Sequence, residues 1–421
     1  MIDLKEGKYY IGEVPALDIA AKYGTPVYVY DAGIITRQYQ RLMKAIPIGN
    51  LQLNFAMKAL GNINVVRLIH LLGGGIDAVS IGEVELALHA GVDPDKIIFT
   101  PSSVGLEELE EVLDKGIRIH VDSLYLLEKI GLSHPHQKVG IRINPHVMAG
   151  GNEKISVGHK ESKFGVSISY LDQIIALINR FDLQIEGVHI HTGSDILDVE
   201  DFMQAIEVLL EAAKQFKHLK YIDFGSGFKV KYKPNDYETD IEYFGQRIAE
   251  RFKEFCRFYG ADLQMIFEPG KFLVSEAGYL IVTVNGVKEG PSSTFVGVNS
   301  GFNHLIRPMF YNAYHHIVNL SRISNTNHKY TVVGYICETD TFAKDRIMSE
   351  IKPGDILCFL NAGAYAFTMA SQYNARYRPP EVLVLGDQHF LIREREKFAD
   401  LLKGQVEVVN DDWLKSLSPS Q

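Results

Sequence analysis

Apolar and polar positions along this chain alternate between two periods. Between residues 51 and 267, short runs rich in aliphatic and aromatic residues (51–57, 75–80, 96–100, 118–121, 138–144, 183–191, 220–224 and 264–267) read as buried strands. Longer stretches with helical spacing lie between them, at 82–90, 105–115, 123–130, 171–180, 199–215 and 241–259. Eight strands and seven connections predict a closed (β/α)8 barrel. A doubly wound open sheet is the competing α/β architecture. It usually has fewer strands and carries a dinucleotide glycine fingerprint after the first, where this chain has only Gly61 and Asn62.

The flanks have a different texture. A helix is expected over 11–23, stopped at Gly24, then a strand over 25–30 and a helix over 34–45. Beyond Phe272, strand-like runs at 278–285, 294–298, 329–335, 355–360 and 381–392 follow without long helices between them, and helical spacing returns at 397–402 and 412–417. The expected organisation is a barrel over residues 29–275 and an all-β domain over 276–421, with residues 1–28 packed on the second domain.

The carboxyl ends of the barrel strands carry Lys58, Asp77 with Ser80, Thr100 with Ser102, Asp122, Arg142 with Asn144, His189 with His191, Asp223 and Glu268. A barrel gathers such strand ends on one open face. Lys58, at the end of an apolar run, is either a lysine snorkelling to the surface or a reactive amine.

Composition narrows the picture. The chain has 421 residues, a net charge of -9 and 46% apolar residues, which suits a soluble protein of two domains. No apolar run is long enough for a membrane span, and the acidic balance gives no sign of nucleic-acid binding. The first residues lack the apolar core of a signal peptide. Cys256, Cys337 and Cys358 have no paired spacing, which speaks against disulfides or structural zinc and for a cytoplasmic protein.

Four stretches can carry chemistry. Asp223-Phe224-Gly225-Ser226-Gly227-Phe228 is either a tight βα turn or an anion cradle, and in barrels the loops after the seventh and eighth strands commonly hold phosphate. Glu268-Pro269-Gly270-Lys271 follows the eighth strand; it is either a surface turn or a carboxylate set to hold a proton on a heteroaromatic nitrogen. In His189-Ile190-His191-Thr192-Gly193-Ser194 the two histidines share one side of the strand. A third metal ligand at suitable spacing is missing, so no metal is expected; His191 is suited to stack on a planar group and Ser194 to donate to phosphate, while His189 reads as a core histidine. Gly334-Tyr335-Ile336-Cys337-Glu338-Thr339-Asp340 places a cysteine beside acids in the second domain; alone it reads as a buried structural cysteine.

Taken together, these motifs resemble the fold type III pyridoxal-phosphate decarboxylases, and within them the diaminopimelate branch, over nearly the whole chain. The resemblance implies an alanine racemase-like barrel and pyridoxal 5'-phosphate as cofactor. Phe55-Ala56-Met57-Lys58-Ala59 is similar to the segment whose lysine holds the cofactor aldehyde, and Ser162-Lys163-Phe164-Gly165 also recurs in the family. By resemblance, His191 stacks on the cofactor ring and Glu268 partners its nitrogen. Ser194, Gly225, Ser226, Gly227, Gly270, Lys271 and Tyr365 hold its phosphate end, with Ser226 replacing a family glycine. Lys271, Arg307, Tyr311, Glu338 and Tyr365 are implied for the substrate, and Cys337 as the acid that protonates the product.

The implied reaction is decarboxylation of meso-2,6-diaminopimelate to L-lysine, the last step of lysine biosynthesis, in a homodimer whose Cys337 and Glu338 complete the partner's site. Ornithine-type relatives carry aspartate after the cysteine, so Glu338 favours the longer substrate. Carboxynorspermidine, ornithine, lysine or arginine decarboxylation, and a non-catalytic cofactor-binding homologue, are the alternatives. In racemases of this fold an arginine partners the ring nitrogen, and Glu268 argues against that branch. One departure stands out: the family usually has arginine where this chain has Lys271, and lysine lacks the planar two-pronged fork.

Overall fold

The computed structural model describes residues 2–147, 158–323, 326–409 and 413. Eight strands, Leu51–Ala56, Gly75–Ala78, Ile97–Phe99, Arg118–Val121, Lys138–Asn144, Gln184–His189, Tyr221–Asp223 and Gln264–Phe267, pair in parallel and in chain order. The eighth pairs with the first and the fourth with the fifth, so the sheet closes as the strand pattern predicts. A short addition, Val166–Ser167, extends the fifth strand at its edge.

Helices between the strands start where polar side chains can cap them. Ser80 accepts from the Glu83 amide, Ser123 from that of Leu126, and Asp240 from that of Tyr243 at the head of the long helix Ile241–Tyr259. That helix ends at Gly260 in the left-handed conformation. Its inner face brings Phe244 against Phe202, Phe228 and Phe267, rings that fill the space between helix layer and barrel.

The second sheet runs Thr341–Ser349, Asn327–Val333, Thr294–Val298, Gly278–Glu289, Val27–Asp31, Glu381–Leu385, Gln388–Arg393, and Ile356–Phe359 pairs with both Gly278–Glu289 and Ile317–Asn319. Val27–Asp31 thus belongs to this sheet, antiparallel to Gly278–Glu289 and parallel to Glu381–Leu385. A boundary at residue 29 would cut it in half. The helix Ala32–Ala45 that follows, capped by Asp31, packs on the barrel helix Ile241–Tyr259.

Other expectations shift. The helix expected over 11–23 begins only at Ala16, because Lys8–Ile11 and Val14–Pro15 form strands around Gly12, at φ +60, and the Glu13 amide donates to Gly386 O at 3.0 Å. The run 381–392 is a hairpin of two strands, and two strands of the second sheet, Ile317–Asn319 and Thr341–Ser349, were not expected at all. A short helix, Phe398–Leu402, occupies the expected 397–402; the expected helix over 412–417 lies outside the described residues apart from Trp413.

Candidate active site

A cavity of about 830 Å³ opens at the carboxyl ends of the barrel strands and continues onto the second domain. Lys58 reaches it from a single 3-10 turn, Met57–Ala59, immediately past the first strand. Register explains its partner: Ala56 lies opposite Asp77, and two residues on, Lys58 Nζ meets Asp77 Oδ2 at 2.9 Å. Asp77 is fully buried, whereas the lysine side chain keeps 36% of its surface open to the cavity. Lys58 is therefore no surface lysine. Burial pulls its amine down, but Asp77, Tyr365 and Glu268 together outweigh burial and hold it above the ordinary lysine value. Burial raises Asp77, and Glu268 adds to this against the pull of Lys58.

Register also sets the opposite wall. His189 sits level with Arg142 on one side and Asp223 on the other. Its Nε2 lies 3.1 Å from Glu268 Oε2; the other carboxylate oxygen, Oε1, is buried without a partner. Arg142 lies under the Phe164 ring, its carbon 4.7 Å from the ring centroid, which brings the 162–165 motif to the cavity. Both His189 and His191 are pushed well below the usual histidine range, by burial first and then by nearby cations.

The glycine turn folds as a cradle. Gly225 has φ +61, and a Cβ there would stand 2.4 Å from Ile190 O; at Gly227 a Cβ would stand 2.7 Å from Gly193 O. The Gly225 carbonyl accepts from the Glu268 amide at 2.7 Å, and the Ser226 amide donates to His191 Nδ1 at 3.3 Å. Ser226 and Gly227 line the cavity, as do Ser194, Gly270 and Tyr365; Gly225 supports them from behind.

Lys271 also lines it, and its Nζ is paired with Asp195 Oδ1 at 2.5 Å. Arg307 and Tyr311 enter from the second domain. Arg307 Nη2 donates to Tyr232 Oη at 3.2 Å, and its guanidinium lies over the Tyr232 and Tyr311 rings while Nε stays buried and unpartnered.

Cys337 and Glu338 are not part of this wall. Both are exposed: the Cys337 amide donates to Asn374 Oδ1 at 2.9 Å, and Glu338 accepts from Tyr373 Oη at 2.9 Å. Neither lines the cavity of its own chain. The cysteine is thus not the buried structural one its motif alone suggested. Asp340 is the buried acid of that motif, accepting from the Phe302 and Ile336 amides.

Three partners escaped the sequence: Asp77 for Lys58, Asp195 for Lys271, and Glu268 for His189. In the sequence Asp77 and Glu268 stand at strand ends, but nothing distinguishes Asp195. A metal could use one group among the described residues, His120, His189, Asp223 and Glu268, with ligand atoms within 4.8 Å of one another. Both ring nitrogens of His120 are already hydrogen-bonded, to Thr100 and Tyr221.

The donor set fits pyridoxal phosphate. A cavity-facing amine suits its aldehyde, the cradle that excludes any Cβ suits its phosphate, and the orphaned Glu268 Oε1 suits its ring nitrogen. Residues 32–275 match the family model described as the pyridoxal binding domain of pyridoxal-dependent decarboxylases. The chain belongs to that family. Within it, the chain is similar to diaminopimelate decarboxylases: it is 41% identical to that of Methanothermobacter thermautotrophicus over 95% of this chain and 96% of the relative. It is 34% identical to that of Aquifex aeolicus over 97% and 98%. A solved structure of the M. jannaschii diaminopimelate decarboxylase in co-complex with L-lysine superposes with a TM-score of 0.89 at 31% identity, covering 97% of this chain and 98% of that one.

Proposed function

We propose that this protein decarboxylates meso-2,6-diaminopimelate to L-lysine and CO2. The observation that carries this reading is Arg307: an unpaired guanidinium nitrogen, buried in the same cavity as Lys58, asks for a second carboxylate on the substrate. The relatives at 34–41% identity bear the same activity in their names, and one solved relative holds L-lysine, the expected product.

Bound pyridoxal phosphate supplies an electron sink for the pair left when the Cα–carboxylate bond breaks. Lys58 would hold the cofactor at its aldehyde, its amine being the group that the substrate's α-amine would replace. Asp77 Oδ2, at 2.9 Å, keeps the lysine ammonium aimed at the cavity and is the nearest base for its proton. Glu268 Oε1 raises the pKa of the ring nitrogen and holds a proton there. His191, which lines the cavity, would pack against the cofactor ring. Ser194, the Gly225-Ser226-Gly227 turn, Gly270 and Tyr365 would take the phosphate, with the Lys271–Asp195 pair beside them.

Arg307 and Tyr311 receive the far end of the substrate, beside the Lys271–Asp195 pair. Cys337 protonates Cα and Glu338 binds the distal amine. Both stand outside the cavity of their own chain, so we place them in the site of a second copy: a homodimer with two composite sites, in the cytoplasm. Among the described residues, no helix is long and apolar enough to cross a membrane.

A second reading has one observation behind it. Asp195 neutralises Lys271, which favours a diamino acid without a distal carboxylate, such as lysine or ornithine. Measured CO2 release decides. The proposal expects turnover of meso-diaminopimelate with stoichiometric L-lysine, at a kcat/KM at least about 100-fold above that on lysine or ornithine. Equal or better turnover of those two overturns it, and cofactor uptake without CO2 from any of them points to a non-catalytic homologue.

A further inference from the structure

Glu268 is held by a stack of side chains that spans half the barrel. Oε2 meets His189 Nε2 at 3.1 Å, and the remaining His189 nitrogen, Nδ1, is buried with no partner. The face of His189 lies on His120, ring centroids 4.7 Å apart and planes 11° from parallel. His120 is fixed at both edges, Nδ1 by Thr100 Oγ1 and Nε2 by Tyr221 Oη, each at 3.0 Å. Two glycines leave room for the stack: a Cβ at Gly140 would stand 2.3 Å from His120, and one at Gly187 would stand 2.0 Å from Tyr221. Neither could be any other residue without moving a ring.

A stack this constrained does more than fill space. Glu268 as a carboxylate has no proton to give, so the proton in its bond to His189 sits on Nε2. The groups facing the pair are Lys58, Asp77, His120, Arg142, His191, Tyr221 and Asp223, the last also within hydrogen-bonding reach of Glu268. Burial and the Arg142 charge keep His189 neutral, which fixes one tautomer: Nε2 protonated, Nδ1 bare. Two of the facing groups are acids that crowd Glu268, and Asp223 is raised well above the carboxylate range by burial first and then by Glu268. A hydrogen bond donated to one carboxylate oxygen fixes where the other points.

We propose that His189 is the positioning residue for Glu268. Its Nε2–H holds one carboxylate oxygen, so the other, Oε1, faces the cofactor nitrogen and keeps a proton there. This rests on the reading that the cavity holds pyridoxal phosphate, and it adds the group that sets the orientation of Glu268.

The wild-type apoprotein gives the first test. With 15N-labelled histidine, one buried residue, assigned by its loss in His189→Gln, should show the Nε2–H tautomer and resist protonation down to about pH 6. An imidazolium or an Nδ1–H tautomer overturns the proposal whether or not cofactor binds. Wild type that takes up no cofactor overturns the reading of the cavity, and the proposal with it.

In holoenzyme carrying ring-15N cofactor, His189→Leu should move the ring-nitrogen resonance from the protonated toward the unprotonated position. It should lower kcat about 10- to 100-fold, with KM and cofactor affinity within about threefold. His189→Gln, whose amide can donate, should hold the resonance near its wild-type position and recover most of kcat. A protonated resonance in His189→Leu, or the same displacement in both variants, refutes the positioning role.

Discussion

The cradle at Gly225 makes a quantitative prediction through the substitution Gly225→Ala. Two costs can be read from the geometry. At φ +61 a residue with a Cβ sits in the left-handed region, at about 1–2 kcal/mol. The new methyl would also stand 2.4 Å from Ile190 O and 2.9 Å from His191 Nδ1. Ile190 cannot retreat, since its own amide donates to Asp223 O at 3.0 Å within the sheet. Relieving the overlap therefore moves the turn, at about 1–3 kcal/mol.

That movement breaks two links: Gly225 O to the Glu268 amide and the Ser226 amide to His191. The total of about 2–5 kcal/mol is divided between stability and cofactor affinity, according to whether the turn stays strained or shifts. Urea unfolding of the apoprotein reads the first share, and absorbance titration with pyridoxal phosphate reads the second. Together they should reach at least about 2 kcal/mol, roughly 30-fold in an equilibrium constant. Ser226→Ala leaves the backbone unstrained and should cost less on both. An unchanged urea midpoint in Gly225→Ala, with cofactor affinity within about twofold, would refute the reasoning.

Other perturbations test the remaining parts. Glu268→Ala at saturating cofactor should lose about 100-fold or more in kcat, and an unchanged rate excludes its role at the ring nitrogen. Mixing inactive Lys58→Ala chains with inactive Cys337→Ala chains should restore partial activity; none, with heterodimer formation verified, argues against shared sites. Arg307→Gln should raise KM for meso-diaminopimelate about 30- to 100-fold, while Asp195→Asn should leave it within about threefold; equal losses would mean that the ion pair binds the carboxylate as a unit. Burial lowers His304 to about 4, so the unfolded chain takes up its proton first as pH falls. Stability should be complete above about pH 6.5 and decline toward pH 4 by up to about 1.4 kcal/mol per pH unit for this group. His304→Asn should flatten that slope in urea midpoints measured across the range, and an identical slope contradicts the assignment.

The barrel was legible because parallel strands covered on both faces read as continuous apolar runs, and each of the eight lies within a few residues of its expected place. The second sheet was harder. Thr341–Ser349 carries Lys344, Asp345 and Arg346 through its middle, and pairing with Asn327–Val333 rather than burial keeps it extended. The first turn of the chain misled because Leu17, Ile19, Ala20 and Ala21 made a helical stripe that was extended too far back, over Gly12. Site residues at strand ends could be listed from the pattern, but their pairing depends on register. His189 and Glu268 are 79 positions apart, and Lys271 and Asp195 are 76. Without a sheet to align them, His189 read as a core histidine and Asp195 as nothing in particular.

Lys271 shows what such a pairing changes. From sequence, lysine in place of the family arginine meant a lost fork and an open question about how the substrate carboxylate is held. In the fold, the lysine is 8% exposed and its charge is matched by Asp195. An incoming carboxylate would have to compete with an acid already at 2.5 Å. Arg307 faces no such competitor: its one hydrogen-bond partner in the site is a neutral phenol, and among the described residues it forms no ion pair. Two tyrosine rings flank the guanidinium and orient its plane, while Nε remains to be satisfied. A planar fork with an open donor is the geometry that carboxylates select. On the proposed function, the fork absent at 271 comes from the second domain, and Lys271 forms a balanced ion pair with Asp195 in the cavity wall instead of gripping the substrate.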